Sequence, residues 1–505
     1  MAASFPPVHS VVLPFVGLVP IALFVEARAP TPEGRRAAVR GCALFGAVHF
    51  GILLYWIVVA LVWFSPLAIL AWAATVAVLA ALSGAFGWLL HRALHEARTP
   101  LWLALPVLWT ASEWARAHLP GSLAFPWLGL GTSLTGFPEV AGMAELVGAR
   151  GLGFWIAGVG GMLASVLAGI RRGRPVGVRV AVLALVLAAP PAWGVWRART
   201  LTMRPVARVA VVQPNIPEHL KLDTPAALDS TFAAVDRLLA RLGPGDVDLV
   251  VLPEVAFPGV YIETPGAAAP AERIRAYARQ VGAPLLLGGL GYEVDPSGRP
   301  VAFNSAFLME PDGLADYRYD KRHLVPMVER VPLLLPDWLG DLRDFGSFGV
   351  GRGWPLARVG GAEYGVLVCY ESSYPEAARR FRLRGADVLV NVTNDAWYGR
   401  EPWYARTAAL WQHPAHLVMR AIENRVGVAR AANTGISMFV DPLGRIHHAT
   451  ELFTADVRAG TVMTTDELTF FARHGDLVGN AAAVAALALL LATGLPGRRP
   501  RGRGG

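Results

Sequence analysis

Charge and cysteine are what this sequence has least of. Only 17% of its 505 residues are Asp, Glu, Lys or Arg, against about 25% in ordinary soluble chains. Hydrophobic residues make up 54%, and mean hydropathy is +0.42. The deficit excludes an ordinary soluble protein and points to a membrane. The two cysteines, Cys42 in an apolar run and Cys369 far away in a polar region, exclude a disulfide framework. No Cys/His spacing suits a metal and no phosphate-cradling loop is present, so no metal, nucleotide or other cofactor is expected. The formal charge of +8 comes from arginines in short loops and at the C-terminus. They form no face suited to nucleic acid. No basic segment precedes the first apolar stretch, so no cleavable signal peptide is expected. There is no internal repeat.

What is there, first, is a set of apolar stretches long enough to span a bilayer, near 9–27, 41–64, 66–91, 101–118, 150–170, 176–196 and 477–495. Alternate connections are basic: Arg28, Arg35, Arg36 and Arg40; Arg92 and Arg98; Arg171, Arg172 and Arg174. The tail after the last span carries Arg498, Arg499, Arg501 and Arg503. The positive-inside rule puts all of these in the cytoplasm, which places the N-terminus and residues 197–476 outside. The expected domains are a transmembrane helix bundle over 1–200, a catalytic domain over 201–472, a final transmembrane helix over 473–497 and a basic tail over 498–505.

The polar region reads as α/β. Apolar, β-rich runs are Val206–Val212, Val247–Leu252, Pro284–Gly289, Val301–Met309, Tyr364–Cys369, Val388–Val392 and Val426–Ala431. Helical patterns separate several of them, at Ala226–Leu242, Ala271–Val281, Pro375–Arg384 and Trp403–Asn424. Strands too apolar to face water predict buried sheets covered by helices.

Three motifs fall at strand ends, where open α/β folds place reacting groups. Val-Val-Leu-Pro-Glu ends in Glu254, Tyr-Asp-Lys-Arg-His-Leu-Val-Pro carries Lys321, and Gly-Val-Leu-Val-Cys-Tyr-Glu carries Cys369 and Glu371. These residue types suit acyl transfer. A thiol needs a base or a depressed pKa to become nucleophilic. A carboxylate in apolar surroundings can be that base and afterwards the acid. An ammonium can stabilise the tetrahedral oxyanion. Taken singly, each has a plainer reading: Cys369 as core filling, Glu254 as a cap or ion-pair partner, Lys321 as a solvated loop residue.

Glu, Lys and Cys in this order, on these motifs, resemble the nitrilase superfamily, whose fold is an α-β-β-α sandwich. Longer strings resemble the apolipoprotein N-acyltransferase family within it: Asp-Lys-Arg-His-Leu-Val-Pro-Met-Val-Glu (320–329), Val-Cys-Tyr-Glu (368–371), Asn-Asp-Ala-Trp-Tyr-Gly (394–399), Asn-Thr-Gly-Ile-Ser (433–437) and, in the membrane part, Phe-Pro-Trp-Leu (125–128). The resemblance implies a nitrilase-like sandwich inserted before the final transmembrane helix, in a bacterial inner membrane with its catalytic domain on the extracytoplasmic face. It implies Cys369 as the nucleophile that takes an acyl chain from a phospholipid as a thioester, Glu254 as base and acid, and Lys321 as oxyanion stabiliser. It further implies Glu329 as an orienting residue, and Tyr370 and Glu371 around the nucleophile. The acceptor implied is the α-amine of a diacylglyceryl cysteine at an apolipoprotein N-terminus, and a monomer is the default assembly. Two departures stand out: the family begins with one more helix, and its Lys-Trp pair is here Lys221-Leu222, leaving Trp397 as the candidate for part of the lipid-gripping surface.

Competing readings are a membrane-tethered amidase sharing the triad, a transporter with a regulatory polar domain, and an inactive lipoprotein-binding relative. The spans hold few charges, Glu113 with Arg116 being the main candidate pair, which disfavours a transporter. The intact triad residues disfavour an inactive relative.

Overall fold

A computed structural model describes residues 1–62, 67–120, 124–218, 224–326, 328–329 and 348–494. Four of its helices are long and apolar enough to cross a membrane: Pro32–Leu53, Ala68–His95, Ala144–Arg171 and Gly177–Thr200. Leu101–Ala117 and Leu477–Gly494 are shorter. The predicted first span is two short helices, Leu13–Val16 and Val19–Glu26. The predicted span 41–64 is shifted and broken. Thr31 caps Gly34 N at 3.2 Å and Pro32 opens the helix, so Arg35, Arg36 and Arg40 lie in its first turns and not in a loop. That helix stops at Leu53, and Trp56–Leu61 follows separately.

Small residues set the crossings. At Gly87 an added Cβ would lie 2.6 Å from Cys42 Sγ. Cys42 is therefore packing between Pro32–Leu53 and Ala68–His95, at a close helix approach. The helix Ala144–Arg171 is the centre of the bundle, with 67% of its apolar window buried against 11% for Gly177–Thr200. Gly148, at φ +68°, breaks it near its start.

The basic segments gather at one end of the bundle. Arg35 pairs with Glu96 at 3.1 Å and Arg172 with Glu26 at 3.2 Å, and Arg92 reaches the Thr493 carbonyl of the last helix. The polar domain joins the opposite end. There Arg197 pairs with Glu467 at 2.6 Å, Trp114 Nε1 donates to Asn480 at 2.8 Å, and Arg150 pairs with Asp476.

The polar domain holds two six-stranded sheets, ordered β12-β1-β2-β3-β4-β5 and β11-β10-β9-β8-β7-β6. The first contains β1 (Arg204–Gln213), β2 (Leu249–Leu252), β3 (Leu285–Val294), β4 (Pro300–Glu310), β5 (Gly313–Asp320) and β12 (Asp456–Thr464). The second contains β6 (Ala357–Val359), β7 (Ala362–Val368), β8 (Val388–Thr393), β9 (Gly427–Ala432), β10 (Met438–Val440) and β11 (Ile446–His447). The strands β1, β2 and β3 are parallel, as are β7, β8 and β9, and the flanking pairs are antiparallel. Their inner faces pack on one another, with β1 and β2 against β9 and β4 against β7. The helices Thr224–Leu239 and Ala268–Val281 cover the first sheet; Pro375–Leu383 and Ala409–Asn424 cover the second. The result is the expected α-β-β-α sandwich.

All seven predicted strands are present, while β5, β6, β10, β11 and β12 carry no predicted run. Four of them are edge strands without a continuous apolar pattern, and β10, buried and apolar, is only three residues long. The predicted helix 403–424 starts later, at Ala409, after a separate turn at Trp403–Ala405. Every residue of Ala409–Asn424 but Trp411 is buried, because the second sheet lies on one side and the membrane helix Ala144–Arg171 on the other. Its charges are paired both within the helix and across that joint. Glu423 accepts from Ala149 N at 2.8 Å and pairs with Arg420 at 2.8 Å, and Arg425, just beyond, pairs with Glu145 at 2.7 Å.

Candidate active site

Glu254 follows β2 after Pro253, Lys321 follows β5 directly, and Cys369 follows β7 directly. The first two strands belong to one sheet and the third to the other, so only the face-to-face packing of the sheets assembles the three. All are buried. Lys321 Nζ lies 2.9 Å from Glu329 Oε1 and 3.3 Å from Glu254 Oε1. Asn304, on β4, donates its amide to the same two oxygens at 2.7 Å each. Its own carbonyl receives the Lys321 N–H at 2.8 Å. The remaining Glu254 oxygen accepts from Asn394 N at 2.9 Å, and the remaining Glu329 oxygen from Val325 N at 2.7 Å. Both carboxylates are thus fixed by two or more donors. Glu329 is in direct contact with the lysine ammonium, the place an orienting residue would occupy.

Burial and the neighbouring Glu254 push the Cys369 thiol well above the ordinary cysteine range, against the pull of Lys321 and the Thr393 hydroxyl. The resting thiol is neutral. Of the two routes open to a reactive thiol, a depressed pKa or an adjacent base, only the base remains. Burial alone would lower the Lys321 ammonium, but Glu329 and Glu254 outweigh it and hold it charged, well above the ordinary lysine range. A neutral thiol, a carboxylate and a fixed cation in a dry site are the parts needed to attack a carbonyl and stabilise the resulting oxyanion.

Glu371 does not face the thiol. Its carboxylate accepts from Tyr319 Oη at 2.8 Å, Arg322 N at 2.8 Å, His323 N at 3.2 Å and Val368 N at 2.8 Å. It clamps the lysine loop to the strand that ends at Cys369. Tyr370 is buried and its ring stacks on Trp127 at 6.0 Å. Trp127, of Phe-Pro-Trp-Leu, is fully buried and also meets Trp56 at 5.1 Å, His416 at 4.9 Å and, through Nε1, Gln412 at 3.1 Å. It plugs the bundle into the α/β domain beside Tyr370, the neighbour of Cys369. Trp397 sits half-buried on the turn Asp395–Tyr398. Lys221 and Leu222 lie outside the described residues.

Glu113 and Arg116 do not form an ion pair as expected. Glu113 Oε1 accepts from Trp109 Nε1 at 2.9 Å and Leu130 N at 2.7 Å, while Arg116 donates to the Leu128 carbonyl at 3.4 Å. Together with His49 they line a cavity in the bundle, away from Cys369. It offers about 30 Å³ to water, room for a water or two and not for a lipid.

Asn304, Thr393 and Asn394 were not singled out from the sequence. The signal for Asn304 was a lone amide in the apolar run Val301–Met309, since a buried amide needs partners. Asn394 and Asn433 explain two of the longer strings. Asn433 Nδ2 donates to Asn394 Oδ1 at 3.0 Å, so the two loops steady each other beside Glu254. Among the described residues, no cluster of three His, Cys, Asp or Glu side chains is placed to hold a metal.

Residues 1–162 match the profile of the apolipoprotein N-acyltransferase N-terminal domain, and residues 208–465 match that of carbon-nitrogen hydrolases. The apolipoprotein N-acyltransferase of Geobacter metallireducens is 34% identical over 505 aligned residues, covering 97% of this chain and 93% of its own. This chain belongs to the apolipoprotein N-acyltransferase family. The family member from Chlorobaculum tepidum is 32% identical, covering 74% of each chain. Among solved structures, a carbon-nitrogen hydrolase superfamily protein of Xanthomonas campestris is 22% identical, with a TM-score of 0.36, covering 59% of this chain and 99% of its own. The family makes this chain an acyltransferase of lipoprotein maturation, built into a membrane by its apolar helices.

Proposed function

We propose that Cys369 carries the acyl group, Glu254 moves the protons and Lys321 stabilises both tetrahedral intermediates. Glu254 takes the thiol proton as sulfur attacks the ester carbonyl of a phospholipid. The carbonyl oxygen becomes an oxyanion beside the Lys321 ammonium. Collapse breaks the ester C–O bond, Glu254 returns the proton to the leaving alkoxide, and a lysophospholipid departs. In the second half, the α-amine of a diacylglyceryl cysteine attacks the thioester. Glu254 accepts a proton from the amine and passes one to the departing sulfur, leaving an amide and the free thiol.

The observation that carries this reading is the buried cluster in which Glu329 and Glu254, both bound by the Asn304 amide, hold one ammonium beside a neutral thiol. The clustering of Arg35, Arg92 and Arg172 at the end of the bundle opposite the catalytic domain supports a cytoplasmic basic face and an extracytoplasmic site. The domain limits 1–200, 201–472, 473–497 and 498–505 are part of the same proposal. Incubation with acyl-labelled phospholipid, followed by intact-mass analysis, tests it. A hydroxylamine-sensitive acyl adduct on Cys369 is expected, and transfer of that label to a diacylglyceryl peptide. An enzyme that cleaves small amides but takes no acyl label would overturn the reading.

A further inference from the structure

Cys369 holds φ at +50°, a left-handed conformation that costs a non-glycine residue about 1–2 kcal/mol. Such a conformation persists only where its surroundings enforce it. Its carbonyl meets His413 of the buried helix Ala409–Asn424, whose Nε2 lies 3.0 Å from the oxygen. A carbonyl only accepts, so Nε2 is the donor. The other ring nitrogen lies 2.9 Å from Asp395 Oδ1. Arg430, on β9, closes on the second Asp395 oxygen at 2.5 Å and on Asn391 Oδ1 at 2.6 Å. Asn391 in turn donates to the Leu367 carbonyl at 2.9 Å and reaches the Cys369 carbonyl at 3.5 Å. The side chains of His413, Asp395 and Arg430 are all fully buried. Burial would raise the Asp395 carboxyl, but Arg430 and His413 outweigh it and hold it at about 2, so the aspartate stays ionised.

Fully buried charges carry a desolvation penalty that hydrophobic packing at the same place would avoid. None of these three side chains moves a proton or meets the acyl carbonyl in the steps above. They reach the chemistry in two places: His413 holds the Cys369 carbonyl, and Asp395 Oδ1 accepts at 3.2 Å from the Thr393 hydroxyl that also meets the thiol. We propose that His413, locked by Asp395 and Arg430, is a positioning residue for acyl transfer, pinning the Cys369 peptide so that the acyl carbonyl attacked by the sulfur stays aligned with the Lys321 ammonium. The inference rests on Cys369 being the nucleophile. It also gives the bundle a hand in the alignment, because Trp127 lies 5.6 Å from the His413 ring.

The discriminating pair is His413→Gln against His413→Asn. The longer glutamine amide reaches the Nε2 position and keeps a donor for the carbonyl; the shorter asparagine amide stops near the Nδ1 position. Two rates are read on each purified protein: acyl-adduct formation from labelled phospholipid, and alkylation of Cys369 by iodoacetamide. Alkylation needs the thiol and its base but no aligned carbonyl or oxyanion. The expectation is acylation within about threefold of wild type for Gln and about 100-fold slower for Asn, as a misplacement near 1 Å would produce. The KM for phospholipid and the alkylation rate should stay near wild type in both. Normal acylation by Asn, or equal impairment of the two variants, would overturn the proposal. So would alkylation falling in step with acylation, since that marks general damage to the site. A wild-type protein that takes no acyl adduct would instead sink the nucleophile assignment, and this inference with it.

Discussion

Lys321→Met is the most informative single change, because two roles of the ammonium can be separated by it. Lys321 is 1% exposed, with carboxylate oxygens at 2.9 Å and 3.3 Å. At an effective dielectric near 20, each contact is worth roughly 5–6 kcal/mol of gross attraction, offset in large part by desolvation. Methionine fills similar space and removes the charge, leaving Glu254 and Glu329 sharing the Asn304 amide with no cation between them. The melting temperature should fall. Acylation should slow by at least about 100-fold, since one oxyanion donor alone is worth roughly 3–4 kcal/mol. Single-turnover transfer from labelled phospholipid, followed by intact mass, gives the rate, and a parallel thermal melt gives the structural effect. A variant that melts early yet acylates at the wild-type rate would refute the oxyanion role and leave Lys321 as a structural counter-ion.

Three other outcomes are expected. Cys369→Ala should abolish the hydroxylamine-sensitive adduct while Cys42→Ala keeps it, because Cys42 packs against Gly87 inside the bundle; an adduct surviving on Cys369→Ala would move the nucleophile elsewhere. Burial would raise the Glu371 carboxyl, but His323 and the Val368 and Arg322 N–H groups outweigh it and hold it below its ordinary value. Its contribution to stability is therefore present above the unfolded carboxylate pKa and is lost as pH falls through the lower folded one. Melting curves of Glu371→Gln should lack that acid-side loss and lie below wild type at neutral pH; parallel pH profiles would count against the clamp. Trp127→Ala removes a fully buried ring from the joint between bundle and catalytic domain, a change worth about 3–5 kcal/mol. It should lower the melting temperature and slow acylation, and an unchanged protein would show that the joint does not depend on this ring.

Two of the three strands that bear the chemistry, those before Glu254 and Cys369, were legible because they are central; Lys321 follows an edge strand. Tyr364–Cys369 is buried on both faces and free of charge, while Val206–Val212 and Val247–Leu252 are interrupted only by the exposed Arg208 and Asp248, so the motifs at the ends of Val247–Leu252 and Tyr364–Cys369 stand out. The edge strands Gly313–Asp320 and Asp456–Thr464 mix buried and exposed positions and left no such mark. Arginine placement gave the arrangement of basic ends, but it could not show that Arg35, Arg36 and Arg40 are helical, which the Thr31 cap and Pro32 decide. Lys321 had a further signal that went unread. The chain contains just two lysines, Lys221 and Lys321, so one kept at a strand end in an arginine-rich protein marks a place where a compact ammonium is needed.

By itself the sequence determined that the chain is membrane-embedded, that its polar part is an α/β sandwich, and that a glutamate, a lysine and a cysteine end three of its strands. Those properties follow from local composition and order along the chain. Only the tertiary structure decided that Glu254 and Lys321 from one sheet meet Cys369 from the other, that Glu329, held by Asn304, grips the ammonium, and that His413 reaches the Cys369 carbonyl. Each of these contacts joins segments far apart in sequence. Their alignment depends on how two sheets and a membrane bundle pack, which no local pattern of residues encodes.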